Sequence, residues 1–106
     1  MKLDCAACHS TAAKSERAGF PAPAQCVSCH AGRTFRIPAR RVYRLADYVT
    51  FSHARHMRAD CVSCHGPVND RDTLTAEVSH SMKACMDCHR THKATLTCNA
   101  CHELGQ

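Results

Sequence analysis

Five pairs of cysteines are distributed along this chain, and every pair has the same spacing and the same following residue. Two residues separate the cysteines of each pair, and a histidine follows the second cysteine directly. The motifs are Cys5, Cys8 and His9; Cys26, Cys29 and His30; Cys61, Cys64 and His65; Cys85, Cys88 and His89; and Cys98, Cys101 and His102. The repetition indicates a chemistry that uses two thiols and one imidazole together.

Three kinds of chemistry use cysteine pairs in a short chain. A disulfide scaffold is usual at about 9% cysteine, but it leaves the histidines unexplained. Zinc ribbons take two pairs per tetrahedral ion, so five pairs leave one unmatched. Covalent attachment of c-type haem uses every residue of the motif, because the thiols add to the vinyl groups on one porphyrin edge and the imidazole binds the iron. The sequence therefore predicts five covalently bound haems.

The chain is also short of the side chains that normally form a hydrophobic core. Leu, Ile, Val and Phe occupy 15 of 106 positions, which is about 14% and below the roughly 20% expected of a chain that folds on its own. Ala and Cys supply 26 of the 47 hydrophobic positions, and Trp is absent. Haem is a large, flat, apolar body, so we expect packed macrocycles to replace the missing core.

A polypeptide that surrounds packed haems needs little regular secondary structure. We expect a mostly irregular fold with one or two turns of helix after each motif, and a short β element where residues 48–51 alternate like a strand. The longest gap between motifs divides the chain into a two-haem segment (1–31), an Arg-rich connector (32–50) and a three-haem segment (51–106). With so few core residues, we expect a single unit over 1–106.

The charge balance changes when haem is counted. The bare chain carries a formal net charge of +5, which alone would suggest an anionic partner such as nucleic acid. A ferric bis-imidazole haem with ionised propionates carries about −1, so five of them bring the oxidised protein to roughly zero. We therefore expect no nucleic-acid partner, and no apolar run approaches the length of a membrane span.

The Arg-rich connector has two interpretations. Its arginines are Arg33, Arg36, Arg40, Arg41 and Arg44. They form a solvated connector that also neutralises haem propionates, or they form a docking patch for an acidic redox partner. The sequence leaves both interpretations open.

From Tyr48 onward the chain resembles the class III multihaem cytochromes c, which are low-potential electron carriers. The sequence F-S-H-A-R-H at residues 51–56 stands shortly before the third motif, and His80 stands four residues ahead of the fourth. The close-set final motif, C-N-A-C-H at 98–102, completes the order. The resemblance covers about half of the chain, and the two N-terminal motifs lie outside the three-haem pattern.

The resemblance implies axial ligands beyond the motif histidines. By position, His53 corresponds to the second ligand of the third haem, His56 to that of the fourth and His80 to that of the fifth. His92 lies outside the family pattern, and it is the one histidine left for the first or second haem.

These features predict a pentahaem c-type cytochrome that passes single electrons along closely packed, low-potential haems to and from redox partners. No acid, base or nucleophile constellation indicates an enzyme. Two alternatives stay open: a haem enzyme that reduces a small molecule such as nitrite at an incompletely ligated haem, and a subunit of a larger respiratory complex or an extracellular conducting filament. The resemblance implies a periplasmic or extracellular location, since c-type haem is attached outside the cytoplasmic membrane.

The number of histidines is one short of full bis-histidine ligation. Five haems need ten imidazoles, whereas the chain has nine. Because the resemblance assigns three distal histidines to the last three haems, we expect the odd haem to be the first or the second. Its replacement ligand would be a lysine amine, the terminal amine or one of four thioethers, those of Met1, Met57, Met82 and Met86.

The motif count predicts the mass of the mature protein. Intact-mass analysis under denaturing conditions should show five haem adducts per chain, because thioether bonds survive unfolding. A smaller number of adducts, or zinc in their place, would contradict the interpretation.

Overall fold

Short helices joined by irregular chain make up this computed structural model, which describes residues 3–33 and 40–104. Within those ranges the α-helices are α1 (Cys5–Cys8), α2 (Pro23–Val27), α3 (Cys61–His65), α4 (Met82–Thr91) and α5 (Cys98–Cys101), and the 3-10 helices are Ala54–His56 and Val68–Asp70. The predicted β element is an isolated antiparallel bridge between Val49 and His102. The prediction of a mostly irregular fold with small helices is confirmed.

The helical turns lie on the cysteine motifs, whereas we expected them to follow the motifs. Helices α1, α3 and α5 each begin at the first cysteine. The residue before each start, Asp4, Asp60 or Thr97, is extended, with ψ of 142°, 137° and 141°. The expected position of these helices was wrong because the C-x-x-C-H spacing itself corresponds to one helical turn. Residues three and four apart lie on one face of such a turn.

The longest described helix, α4, has 10 residues and contains the whole fourth motif. It begins after Ser81, whose hydroxyl accepts the backbone N–H of Ala84 at 3.2 Å. On its exposed face the Asp87 carboxylate accepts from Lys83 at 2.5 Å and from Arg90 at 3.0 Å. No helix among the described residues has the length and apolar character of a membrane span.

A sharp turn at Gly66 ends α3 directly after the third motif. Gly66 has φ 71° and ψ −174°, a region that essentially only glycine adopts. Its N–H donates to the carbonyl of Val62 at 2.8 Å. The loop that follows is closed by Arg71, whose Nε and Nη2 donate to the Glu77 carboxylate at 2.5 and 3.1 Å.

The described residues form no hydrophobic core. Gly66 is the one described residue classed as buried, and no described apolar side chain is buried. The accessible surface of the chain is 9262 Å², whereas a folded protein of this mass is expected to expose about 5,900 Å². The polypeptide therefore exposes more surface than a folded chain of this mass usually does.

The chain divides into two compact units. One comprises Met1–Arg41 with Ser52–Ala59, and the other comprises Val42–Phe51 with Asp60–Gln106. The histidine pair His53 and His56 thus belongs to the unit of the first two motifs, although the sequence boundary at 51 grouped it with the last three. Of the Arg-rich connector, residues 34–39, including Arg36, lie outside the described ranges.

Removal of the haems should prevent folding. Without macrocycles the chain buries too little apolar surface to offset its conformational entropy. We expect chain produced without haem-attachment machinery to show the narrow amide dispersion of a disordered protein in NMR. Cooperative thermal unfolding of such an apoprotein would contradict this expectation.

Candidate haem-binding sites

Each motif presents its two thiols and its imidazole from one turn of backbone. In the first, second and fifth motifs, the histidine N–H donates to the carbonyl of the first cysteine at 2.9 Å: His9 to Cys5, His30 to Cys26 and His102 to Cys98. In the third, His65 is the last residue of α3, and in the fourth all three residues lie inside α4. Residues at positions i, i+3 and i+4 share a helix face, so the motif residues fit one edge of a porphyrin.

The ten cysteines all lie among the described residues, and none of them is in a disulfide. Seven of them are exposed. In the part of the chain that the structure describes, no three His, Cys, Asp or Glu side chains gather as a metal-ligating group.

Three motif histidines are oriented by main-chain carbonyls. The Nδ1–H groups of His9 and His89 donate to the carbonyls of Gly19 and Thr95, both at 2.6 Å. His102 donates in the same way to the carbonyl of Tyr48 at 3.1 Å. A carbonyl accepts only, so these contacts put the proton on Nδ1 and leave Nε2 with the lone pair that binds a metal.

Three of the four remaining histidines have the same arrangement. His53 donates from Nδ1 to the carbonyl of Glu16 at 2.7 Å, and His56 to that of Ser52 at 2.8 Å. His92 donates to the carbonyl of Cys88 at 2.9 Å. All three imidazoles are thus prepared to bind iron through Nε2, as expected of axial ligands.

His53 is held more firmly than the other two. Its backbone N–H also donates to Glu16 at 3.1 Å, and the N–H of Ala54 donates to the carbonyl of Ser15 at 3.1 Å. The histidine pair is therefore tied to the loop that follows the first motif. This contact could not be predicted from the sequence, because every residue type has a main-chain carbonyl.

His80 differs from the other histidines. Its Nε2 lies 2.7 Å from the carbonyl of Cys64, so the atom that an iron would need is engaged by the third motif. The imidazole stacks on Tyr43 with ring centroids 4.2 Å apart. Ligation by His80 therefore requires that its hydrogen bond to Cys64 be broken.

Two carboxylates outside the motifs have a pKa that an ion pair lowers. The hydrogen bond from Arg71 lowers the pKa of Glu77, and the hydrogen bond from Lys83 lowers that of Asp87. Burial, together with neighbouring thiols, raises the pKa of the Cys85 thiol. Glu77 belongs to the ion pair that closes the loop after α3, and Asp87 belongs to the ion pairs of α4.

Four thioethers could replace a histidine as an iron ligand. Met57 and Met82 are 45% and 63% exposed. Met86 stands between the two cysteines of the fourth motif, and Met1 lies outside the described residues. None of the three described methionines is singled out as a ligand by a contact in the structure.

Comparison with known proteins found one curated relative. No protein-family profile matches the chain. A curated relative, "Cytochrome c3, 26 kDa" from Desulfomicrobium norvegicum, is 33% identical over 84 residues, a match that covers 51% of this chain and 76% of the relative. Because the chain has the motifs of covalent c-type haem and matches most of this relative, it belongs to the cytochrome c3 family of multihaem electron-transfer cytochromes.

Proposed function

We propose that this chain is a pentahaem electron carrier that exchanges single electrons with redox partner proteins. The carrying observation is the repetition of one local geometry: five C-x-x-C-H motifs, each on a turn of backbone that sets both thiols and the imidazole on one face. Family membership supports electron transfer by covalently bound haem. The number of haems is our inference from the motifs.

The proposed iron ligands comprise all nine histidines. The five motif histidines are proximal ligands, and His53, His56 and His80 are the distal ligands of the third, fourth and fifth haems. His92 is the distal ligand of the first or second haem. The Nδ1–H contacts of His53, His56 and His92 support this assignment, since each puts the proton on Nδ1 and the lone pair on Nε2.

When bound, each haem supplies an iron that takes up and releases one electron. The chain's residues keep the surroundings of that iron constant. Each pair of cysteines would hold one haem covalently, and the carbonyls of Gly19, Glu16 and Thr95 restrict rotation of the imidazoles that donate to them. Because the ligands need not move on reduction, single-electron exchange requires little rearrangement.

We further propose that the protein works in the periplasm or outside the cell. Haem attachment to C-x-x-C-H takes place beyond the cytoplasmic membrane in the family that the chain resembles. Charge supports an acidic redox partner, since Arg33, Arg40 and Arg41 are exposed among the described residues of the connector.

A second candidate function has one observation in its favour, the histidine deficit. A haem with one histidine and no replacement ligand has an open coordination position that admits a small molecule such as nitrite. Reduction there would use electrons delivered by the other haems. Binding of cyanide or nitric oxide at one haem per chain distinguishes this enzyme from a carrier.

Replacement of the distal histidines should change one haem at a time. His53→Ala and His56→Ala should each retain full haem attachment, because no thiol is altered, and should each convert one haem from low to high spin. Electron paramagnetic resonance of the oxidised protein measures the change. Arg55→Ala, in the same 3-10 helix, is the matched control and should leave every haem low-spin.

Two unchanged low-spin spectra would contradict the assignment of His53 and His56. The double variant shows whether His53 and His56 bind different haems. If both bound the same haem, the double variant would have the same number of high-spin haems as either single variant.

The histidine count predicts that the haems are not equivalent. Nine histidines cannot supply ten axial positions, and association of identical chains does not alter that ratio. At least one haem in the isolated protein should therefore be high-spin or carry a ligand other than imidazole. Electron paramagnetic resonance combined with near-infrared magnetic circular dichroism identifies the ligand pair.

A thioether ligand would give that haem a potential well above the others. Five indistinguishable bis-histidine haems in the homogeneous protein would contradict the count.

A further inference from the structure

Tyr43 has contacts that neither its position in the sequence nor the haem motifs explain. It lies in the Arg-rich connector, and it belongs to the same compact unit as the third, fourth and fifth motifs. The residue is partly buried, in a chain whose described residues are mostly exposed. Its surroundings are two imidazoles and one backbone amide.

The ring of Tyr43 contacts two histidines: His65, which belongs to the third motif, and His80, which lies outside the motifs. It stacks on His80 at a centroid distance of 4.2 Å and an interplanar angle of 23°. It meets His65 edge-on at 5.3 Å and 82°. The two imidazoles are themselves 6.1 Å apart at 84°, so the orientation of one ring constrains that of the other.

The hydroxyl of Tyr43 adds a third point of attachment. The backbone N–H of Val78 donates to this hydroxyl at 3.2 Å. Val78 lies two residues before His80, so the contact holds the segment that carries this histidine. Ring and hydroxyl together hold the side chain and the backbone of the His80 region.

These contacts matter because both imidazoles are proposed iron ligands. His65 is the proximal ligand of the third haem, and His80 is proposed for the fifth. To reach an iron, the Nε2 of His80 must leave the carbonyl of Cys64, which it contacts at 2.7 Å. The stacking on Tyr43 involves the face of the imidazole, so a rotation of the ring within its own plane releases Nε2 from Cys64 and keeps the stack.

We propose that Tyr43 is a positioning residue that sets the imidazole orientations of His65 and His80, and thereby couples the ligand geometry of two haems. The inference rests on the proposed function, since it needs both histidines to be iron ligands.

The test compares two substitutions in the full haem-containing protein. Tyr43→Leu removes the ring, and Tyr43→Phe removes the hydroxyl alone. Intact mass should be that of the full haem complement in both. In Tyr43→Leu we expect the low-spin resonances of two haems, those of His65 and His80, to shift in electron paramagnetic resonance. In Tyr43→Phe we expect a smaller shift, confined to the haem of His80.

The matched control is Tyr48→Leu, which removes a second tyrosine ring from the same unit. That ring lies 5.8 Å from His102 and is tilted against it by 34°. It should leave the resonance of the His65 haem unchanged. The resonances are assigned with His53→Ala, which marks the third haem, and with His80→Ala, which marks the haem of His80.

Two results would overturn the role of Tyr43: resonances in Tyr43→Leu that superimpose on those of the wild type, or equal shifts in Tyr43→Phe and Tyr43→Leu. A contribution to stability alone would lower the melting temperature without moving these resonances. If Tyr43→Leu yields no folded protein, Tyr43→Phe still tests the role of Tyr43. It must shift the resonance of the haem bound by His80 and leave the resonance of the haem bound by His65 unchanged. If His80→Ala leaves every haem low-spin, the ligand proposal itself fails, and the inference fails with it.

Discussion

The shortage of apolar side chains is the constraint on which the rest of this structure depends. No described apolar residue is buried, and Gly66 is the one described residue that is. A chain of this composition cannot hold a prosthetic group by enclosing it in a core that already exists. Covalent attachment solves the problem differently, because thioether bonds keep the haem in place while the haem supplies the apolar surface that the chain lacks.

This constraint explains why the helices are short and where they lie. A helix of one turn is unstable alone, because nucleation costs more than a single hydrogen bond returns. Here α1, α3, α4 and α5 each contain both cysteines of a motif, so attachment of the macrocycle would stabilise these turns directly. Only α4 is longer, and it has a serine cap and charged pairs of its own.

The orientation of the imidazoles has two physical sources. His56 and His92 donate to carbonyls four residues earlier, a contact that the local backbone geometry supplies. His53 and His102 donate to carbonyls 37 and 54 residues away, so their orientation depends on tertiary structure. An electron carrier benefits from both, because ligands that stay fixed in each oxidation state keep the rearrangement on electron exchange small.

The residues alone determined the chemistry of the motifs, the absence of an ordinary core and the count of nine histidines against ten positions. These follow from residue type and spacing, which the printed sequence contains in full. The register of the helices could have been read from it too, since the spacing of C-x-x-C-H is a helical turn. Tertiary structure decided the partners of the imidazoles, the hydrogen bond of His80 to Cys64 and the place of Tyr43 between two rings. Most of these contacts use main-chain carbonyls or join segments far apart in the chain, and neither leaves a mark on residue type or local spacing.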